Sequence, residues 1–278
     1  MPTLVNGHET EFVDVRDRGF QYGDGVFTTL PVVQGRPAWL ERHLARLERD
    51  SHRLHIAYPG HEVLRVEVAE LLKQASSSAV LKIQLTRGIG RRGYLYTGDE
   101  QTTRVLSLSP VPEYPPEFIE QGVRTTVCHT RLGINPALAG LKHTNRLEQI
   151  LARAEWQHTD CQEGIVLDHE GYVTEGTYTN LFLVRQGRIS TPLLDRCGVS
   201  GVMRAILMEW WAQCGHPVEP TRLSSHDVYQ ADEVMLSNSV IGVWFVRACD
   251  HRTYPAPVYA PAARAYLLDQ HPLPVPES

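Results

Sequence analysis

Four prolines fall within nine residues near the middle of the chain, in the segment PVPEYPPEF at positions 110 to 118. Proline fixes its own φ angle and lacks an amide hydrogen, so a run this dense excludes a regular helix or a central strand. Such a segment favours an extended connector between compact units. We therefore predict a small N-terminal domain over residues 1–110, a connector over 111–120 and a larger C-terminal domain over 121–278. A chain of 278 residues can bury two cores.

The part before the prolines alternates between helix and strand patterns. Leucines recur three or four positions apart within residues 37–56, among arginine and glutamate side chains, which predicts an amphipathic helix. A second helix is predicted from Glu62 to Lys73. Residues 80–86 and 104–109 alternate apolar and polar side chains, as half-buried strands do. The first domain is therefore predicted to be α/β.

The part after the prolines has the same mixture of patterns. Its predicted strands cover residues 122–130, 164–168, 180–184 and 233–239. Helices are predicted just after Lys142 and over residues 201–213, where apolar side chains share one face. The fold class is therefore α/β in both domains, with no internal repeat.

Charge and composition narrow the class of function. The formal net charge is −5, with no long block of one sign, so neither nucleic acid nor an anionic membrane is favoured as a partner. The five cysteines show no CxxC spacing and the thirteen histidines form no HExxH motif, which predicts neither disulfides nor a metal site. No basic segment leads into an apolar run, and no stretch could span a bilayer. We expect a cytoplasmic protein that acts on a small molecule.

Six motifs stand in one order along the chain. They are YGDGVFTT (22–29), ERHLARL (41–47), RGIGRRGY (87–94), LAGLKHTNRLEQ (138–149), GYVTEGTYTNLF (171–182) and CGVSGVMR (197–204). Together they resemble the fold-type IV pyridoxal 5′-phosphate (PLP) enzymes, which include branched-chain and D-amino acid aminotransferases and 4-amino-4-deoxychorismate lyases. The resemblance covers nearly the whole chain and implies a C-terminal domain with a mixed, barrel-like sheet. The first, third and fourth motifs are most similar to the lyases.

The resemblance implies that PLP is the cofactor and that Lys142, in LAGLKHTNR, carries it as a Schiff base. An imine requires a neutral amine, and desolvation can lower the pKa of a lysine. An isolated lysine is usually a solvated surface charge, so the motif carries this prediction. Glu175 matches the family carboxylate that keeps the pyridine nitrogen protonated and the ring an electron sink.

The cofactor phosphate requires cationic and backbone donors. Arg46 matches the phosphate arginine of the family. The remaining predicted cofactor contacts are the backbone amides at the start of the second-domain helix and two polar side chains, namely Gly201, Val202, Met203, Asn238 and Ser239. For Ser239, a cap at the end of a strand is an equally good interpretation.

The substrate contacts are predicted from the first and third motifs. Arg87 and Arg92 lie in a glycine-rich loop that lacks a nucleotide-binding GK[ST] ending, and they are predicted to bind substrate carboxylates, with solvated arginines as the alternative. Phe27 is predicted to lie near the substrate, and Thr28 stands where the transaminases usually have an acid. Either Thr28 or Lys142 is predicted to protonate the leaving group. Asp24 is predicted to hold the turn around it.

The implied reaction is a carbon–oxygen elimination that releases 4-aminobenzoate and pyruvate from 4-amino-4-deoxychorismate, in folate synthesis. The resemblance also implies a homodimer and a functional link to aminodeoxychorismate synthase. A D-amino acid or branched-chain aminotransferase of the same fold is the nearest alternative. A ligand-binding protein without catalysis is a remote one, since binding alone requires neither Lys142 nor Glu175.

Overall fold

The structure, a computed structural model, describes residues 1–75 and 78–271. The chain divides into two units, each packed mainly against itself. The first unit contains Met1–Glu113 together with Lys142–Asn145, and the second contains Tyr114–Leu141 and residues 146–271. The predicted domain ranges assigned Lys142 to the second domain. In the structure, most residues that surround Lys142 belong to the first unit, and it is assigned there.

The first unit is built on an antiparallel sheet with the strand order β2-β1-β6-β5-β3-β4. Its strands are β1 (Thr3–Val5), β2 (His8–Glu9), β3 (Gly25–Val33), β4 (Arg36–Pro37), β5 (Ser78–Thr86) and β6 (Thr103–Ser109). Its helices are α1 (Arg18–Tyr22), α2 (Leu40–Arg53) and α3 (His61–Leu72). The two longer helices confirm the predicted ones, and β5 and β6 confirm the predicted strands.

One face of this sheet forms the core of the first unit. Because side chains alternate along a strand, every second residue of β3 and β5 points to the helices. Val26, Leu30, Leu81 and Ile83 are fully buried there against α2 and α3. The residues between them lie on the opposite face.

The second unit contains a mixed sheet with the strand order β12-β11-β10-β14-β15-β7-β8-β9-β13, and β16 pairs with β15. Its strands are β7 (Val123–Leu132), β8 (Glu163–Asp168), β9 (Tyr172–Gly176), β10 (Asn180–Arg185), β11 (Arg188–Pro192), β12 (Glu219–Thr221), β13 (Leu223–Ser224), β14 (Glu233–Asn238), β15 (Gly242–Cys249) and β16 (Arg252–Thr253). The approach of β9 to β10 curls this sheet into a nearly closed, barrel-like form. The predicted α/β class and mixed sheet are confirmed.

The helices of the second unit are α4 (Glu117–Glu120), α5 (Leu147–Ala154), α6 (Val202–Gln213), α7 (Ser225–Tyr229) and α8 (Tyr259–Gln270). The helix after Lys142 and the helix over residues 201–213 are confirmed as α5 and α6. The strand predicted to end at Ser239 is not the last one, because β15 and β16 follow it. Within residues 1–75 and 78–271, no helix is long and apolar enough to cross a membrane.

Candidate active site

Lys142 is held on the first unit by its backbone. Its carbonyl oxygen accepts a hydrogen bond of 2.9 Å from the Phe27 amide, and its own amide donates to Asp50 Oδ2 at 3.0 Å. Asp50 lies on α2 and is 1% exposed. The lysine is therefore fixed at once to a strand and to a helix, in an irregular segment that has no helix of its own.

The residues after Lys142 continue this attachment along the start of β3. The Thr144 amide donates to the Gly25 carbonyl at 2.9 Å, and Asn145 Nδ2 donates to the Gly23 carbonyl at 2.8 Å. Gly23 has a φ of +66°, and a Cβ atom there would lie 2.4 Å from Asn145 Oδ1. Glycine is therefore required at this turn of YGDGVFTT, as its sequence suggested.

Phe27 lies beside the predicted reactive amine. Lys142 Nζ is 4.6 Å from the centroid of the Phe27 ring, and Lys82 Nζ is 5.0 Å from the same centroid. These distances are within the range of cation–π contacts. The Lys82 side chain is exposed by surface area, but partial desolvation still lowers the pKa of its ammonium group. The Phe27 ring centroid therefore lies within 5.0 Å of the amino nitrogens of both Lys142 and Lys82.

Strand alternation separates the two threonines of YGDGVFTT. Thr28 is fully buried and points to the helix side of the sheet, with Val26 and Leu30. Thr29 is half-buried, on the same face as Phe27. Its partner across the sheet is Lys82 on β5. The face of the sheet opposite α2 and α3 therefore carries Thr29, and not Thr28, beside Phe27.

Thr28 takes part in a buried hydrogen-bonded group that we call the His43 triad, formed by Thr28, His43 and Arg46. Thr28 Oγ1 lies 2.6 Å from His43 Nδ1 and accepts a hydrogen bond of 2.6 Å from Arg46 Nη2. Burial and the nearby charges of Arg46 and Lys142 hold the pKa of His43 well below its usual range, which disfavours a protonated imidazole. This geometry favours a structural role for Thr28 over the predicted role as a proton donor to the leaving group.

Arg87 is bound within the protein. Its guanidinium donates to both carboxylate oxygens of Asp24, at 2.8 and 3.1 Å, and to the carbonyl oxygens of Leu54 and His55, at 2.7 and 2.6 Å. It also stacks 3.9 Å from the ring centroid of Tyr96, and the residue is 6% exposed. The predicted role of Arg87 as a substrate carboxylate ligand is therefore a poor fit, because four of its five N–H donors are already used within the protein.

Asp24 holds the turn, as predicted, and it does so between two arginines. Arg18 Nε donates to Asp24 Oδ2 at 2.9 Å, opposite Arg87. Arg18 also donates to the carbonyl oxygens of Gly93 and Tyr94, in the RGIGRRGY loop. Arg92 is exposed in that loop, and no described residue forms an ion pair with it. Of the two predicted arginines, Arg92 is the one that remains available to a carboxylate.

Glu175 lies at the end of β9 in the second unit and is 4% exposed. Its Oε2 accepts a hydrogen bond of 2.8 Å from the Val199 amide, and Gln149 Nε2 lies 3.4 Å from Oε1. A buried carboxylate that is held by hydrogen bonds can keep a proton on the nitrogen of a pyridine ring. This is the role predicted for Glu175.

The start of α6 is fixed relative to Glu175. The Val199 carbonyl accepts a hydrogen bond of 2.8 Å from Asn180 Nδ2, and a Cβ atom at Gly201 would lie 2.1 Å from Asn180 Oδ1. Gly201 is the N-cap residue of α6, so its amide and those of Val202 and Met203 have no partner within the helix. These amides can bind an anion, as predicted.

Asn238 and Ser239, at the end of β14, differ in the hydrogen bonds that their side chains form. Asn238 Oδ1 accepts hydrogen bonds from the Val240 and Ile241 amides, and Asn238 Nδ2 donates to the Tyr178 carbonyl. These contacts favour a turn-holding role for Asn238 over the predicted cofactor contact. The Ser239 hydroxyl forms no hydrogen bond within the described part of the chain, so it can still donate to a phosphate.

A second buried carboxylate supports the turn that follows Glu175. Glu163 is fully buried and accepts hydrogen bonds from the hydroxyl groups of Thr177 and Thr179 and from the Gly164 amide. Burial raises the pKa of Glu163 to about 7, although these hydrogen bonds act in the opposite direction. Glu163 therefore braces residues 176–179.

Sequence reasoning missed Lys82, Thr29, His43 and Glu163. Alternation over residues 80–86 could have indicated Lys82, since it is the one charged residue of that strand and falls on its polar side. The same alternation distinguishes Thr29 from Thr28. His43 and Glu163 carry no such signal, because the partners that bury them are distant in sequence. Among the described residues, no group of His, Cys, Asp and Glu could hold a metal ion.

The family described as amino-transferase class IV matches residues 25–249. The chain belongs to this family.

Among individual relatives, an aminodeoxychorismate lyase of Vibrio harveyi is 39% identical over 240 residues, covering 86% of this chain and 88% of the relative. A D-alanine aminotransferase of Listeria monocytogenes is 27% identical over 253 residues, covering 87% of this chain and 86% of the relative. The crystal structure of 4-amino-4-deoxychorismate lyase from Pseudomonas aeruginosa has a TM-score of 0.92 and 44% identity, covering 98% of this chain and all of that one.

Proposed function

We propose that this protein is a 4-amino-4-deoxychorismate lyase that depends on PLP and forms 4-aminobenzoate and pyruvate. The observation that carries the proposal is the backbone-anchored Lys142 beside Phe27, on a chain whose lyase relatives reach 39% and 44% identity. The aminotransferase alternative has weaker support, since the D-alanine aminotransferase shares 27%. Enzymes of this family use PLP.

The residues fit PLP by the chemistry of their donors. Arg46 offers a buried guanidinium and α6 offers unpaired amides at Gly201, Val202 and Met203, and both groups suit a phosphate. Ser239 adds a hydroxyl. Glu175 would hold the proton on the pyridine nitrogen, and Lys142 would bind the aldehyde carbon. When bound, PLP forms an imine with an amine and accepts the electrons released when a neighbouring C–H bond breaks.

In this mechanism Lys142 would hold PLP in the resting protein, and once its amine is free beside the bound substrate it would take the proton from C4. Glu175 would hold the proton on the pyridine nitrogen throughout. The C3–O bond breaks as the substrate ring becomes aromatic, and enolpyruvate leaves and tautomerises to pyruvate. The gain in aromaticity favours elimination over the reprotonation that a transaminase needs.

Residues of the first unit supply the remaining groups. Arg92 and Lys82 are exposed cations, and the substrate carries two carboxylates. Thr29 lies across the sheet from Lys82 and on the same face as Phe27, so its hydroxyl is the better candidate to protonate the departing oxygen. These positions replace the predicted use of Arg87 and Thr28.

The test of the function is a direct assay. The purified protein is incubated with chorismate, glutamine and aminodeoxychorismate synthase, and 4-aminobenzoate is measured as product. Parallel incubations replace the substrate with D-alanine or a branched-chain amino acid and 2-oxoglutarate. Product in the first assay and none in the second is expected, whereas amino transfer without 4-aminobenzoate would refute the proposal.

We predict that Thr29→Val lowers kcat for 4-aminobenzoate formation by about 10-fold to 100-fold, because a positioned proton donor is lost. Valine keeps the volume of threonine, so the strand and the PLP affinity should not change. The measurement is steady-state kinetics at saturating PLP. Turnover at the parent rate would leave Lys142 or a bound water as the donor.

We also propose a homodimer, since each unit exposes large apolar side chains. Leu147, Ile150 and Leu151 lie on one face of α5 and are 74%, 61% and 61% exposed. In the first unit, Phe12 and Phe20 are 85% and 74% exposed. Apolar side chains clustered in this way usually mark an interface, and a second copy of the chain is the simplest partner.

We predict that Ile150→Lys shifts the protein to a monomer at micromolar concentration, because it places an ammonium group in the apolar face of α5. The matched control is Val66→Lys, since Val66 is also 61% exposed but lies on α3 with Glu62 and Glu70 four positions away on either side. Sedimentation velocity distinguishes the two states. A parent protein that sediments as a monomer would contradict the dimer itself.

A further inference from the structure

The proton arrangement of the His43 triad follows from its geometry. Arg46 can only donate, so Thr28 Oγ1 accepts from it. The Thr28 hydroxyl proton then requires an acceptor, and His43 Nδ1 is the one within reach among the described residues, at 2.6 Å. This arrangement favours a neutral His43 with its proton on Nε2, an atom that is buried without a hydrogen-bond partner among the described residues. The other neutral tautomer would leave the Thr28 hydroxyl proton without an acceptor.

A protonated His43 would be less favourable than either neutral form, for reasons of hydrogen bonding and of charge. It would donate from Nδ1, so the Thr28 hydroxyl would lose its acceptor, and a third cation would be buried near Arg46 and Lys142. His43 is 0% exposed, so water cannot compensate that charge. The triad is therefore a chain of hydrogen bonds that favours the neutral form of His43.

The position of the triad indicates its purpose. His43 and Arg46 lie one turn apart on α2, and Thr28 faces them from β3. An arginine side chain has several rotatable bonds, and the hydrogen bond from Nη2 to Thr28 restricts the guanidinium to one orientation. Losing that restriction would cost affinity for whatever Arg46 binds.

We propose that His43 is a positioning residue for phosphate binding, acting through Thr28 to orient the guanidinium of Arg46 towards a phosphate monoester. The inference rests on the proposed binding of PLP. It assigns Thr28 to cofactor affinity and removes it from the proton transfers of the reaction.

The test compares two ligands of the apoprotein, PLP and pyridoxal, which lacks the phosphate. His43→Leu keeps an apolar volume in the buried site but removes the acceptor for Thr28. We expect the Kd for PLP to rise by about 10-fold, as for a weakened hydrogen bond to a charged group. The Kd for pyridoxal should stay within about 2-fold of the parent value.

Further variants distinguish a specific effect on Arg46 from a general destabilisation of the fold. Thr28→Val should weaken PLP binding to the same extent, and the double variant should be no weaker than either single one, since both act through Arg46. His43→Asn, which offers an acceptor near the position of Nδ1, should recover part of the affinity. Equal losses for PLP and pyridoxal, or additive losses in the double variant, would overturn the proposal. A parent protein that binds neither ligand would instead refute the proposed function.

Discussion

Lys142→Ala is expected to lower 4-aminobenzoate formation by about 10⁴-fold, the upper end of the range for losing one positioned proton-transfer group. The variant should also lose the visible absorbance of lysine-bound PLP. The fold should survive, because the hydrogen bonds of residue 142 to Phe27 and Asp50 use its backbone atoms. Turnover, the visible spectrum and thermal unfolding of the apoprotein measure the three expectations.

The matched control is Lys73→Ala. Lys73 is exposed and forms an ion pair with Glu70 on the surface of α3, and such pairs contribute little to stability. This variant should keep both the turnover and the spectrum. A Lys142→Ala protein that retains the visible band would show that another amine binds the cofactor.

Glu175→Gln is expected to lower kcat by about 10²-fold to 10³-fold, the range for removing one preorganised electrostatic contact in a buried site. The amide oxygen of glutamine can still accept from Val199, so the local structure should persist. What is lost is the negative charge that holds a proton on the ring nitrogen. The measurement is kcat at saturating PLP, with the position of the visible band as a second readout.

Glu219→Gln is the control for this change, because Glu219 is exposed on β12. It should have no effect on either readout. If Glu175→Gln retained the parent kcat, the ring nitrogen would not need a carboxylate, and the proposed elimination would have to proceed without a protonated ring.

The elements near the proposed site were largely predictable from the sequence. The helices α2, α3 and α6 and the strands β5, β6 and β14 follow from apolar periodicity, which is a local property. The motif order also led to the family. Strands β15 and β16 and helix α8 were missed, since their segments show weaker alternation and follow what looked like a final strand.

The roles of single side chains were less predictable. Arg87 looked available in a glycine-rich loop, but a carboxylate and two carbonyl groups distant in sequence bind it. Thr28 and Thr29 are adjacent, and only the register of β3 decides which one faces the core. Both outcomes depend on long-range pairing, which a motif does not record.

The face of α5 shows a related limit. Its apolar spacing predicted a helix correctly, but Leu147, Ile150 and Leu151 are exposed and do not contribute to a core within the chain. The apolar periodicity of a helix identifies its apolar face, but it does not show whether that face packs within the chain or against another molecule.

The attachment of Lys142–Asn145 to β3 has a consequence for how the protein can be produced. The chain passes through residues 1–113 of the first unit and then through part of the second, before residues 142–145, which include the proposed reactive lysine, contribute to the first unit again. Neither unit is a continuous piece of the gene product, so a fragment ending at Glu113 would lack the lysine and leave the first residues of β3 without this pairing. Because this pairing spans more than a hundred residues, we expect it to form late and slowly during folding. Refolding experiments should therefore recover secondary structure before PLP binding.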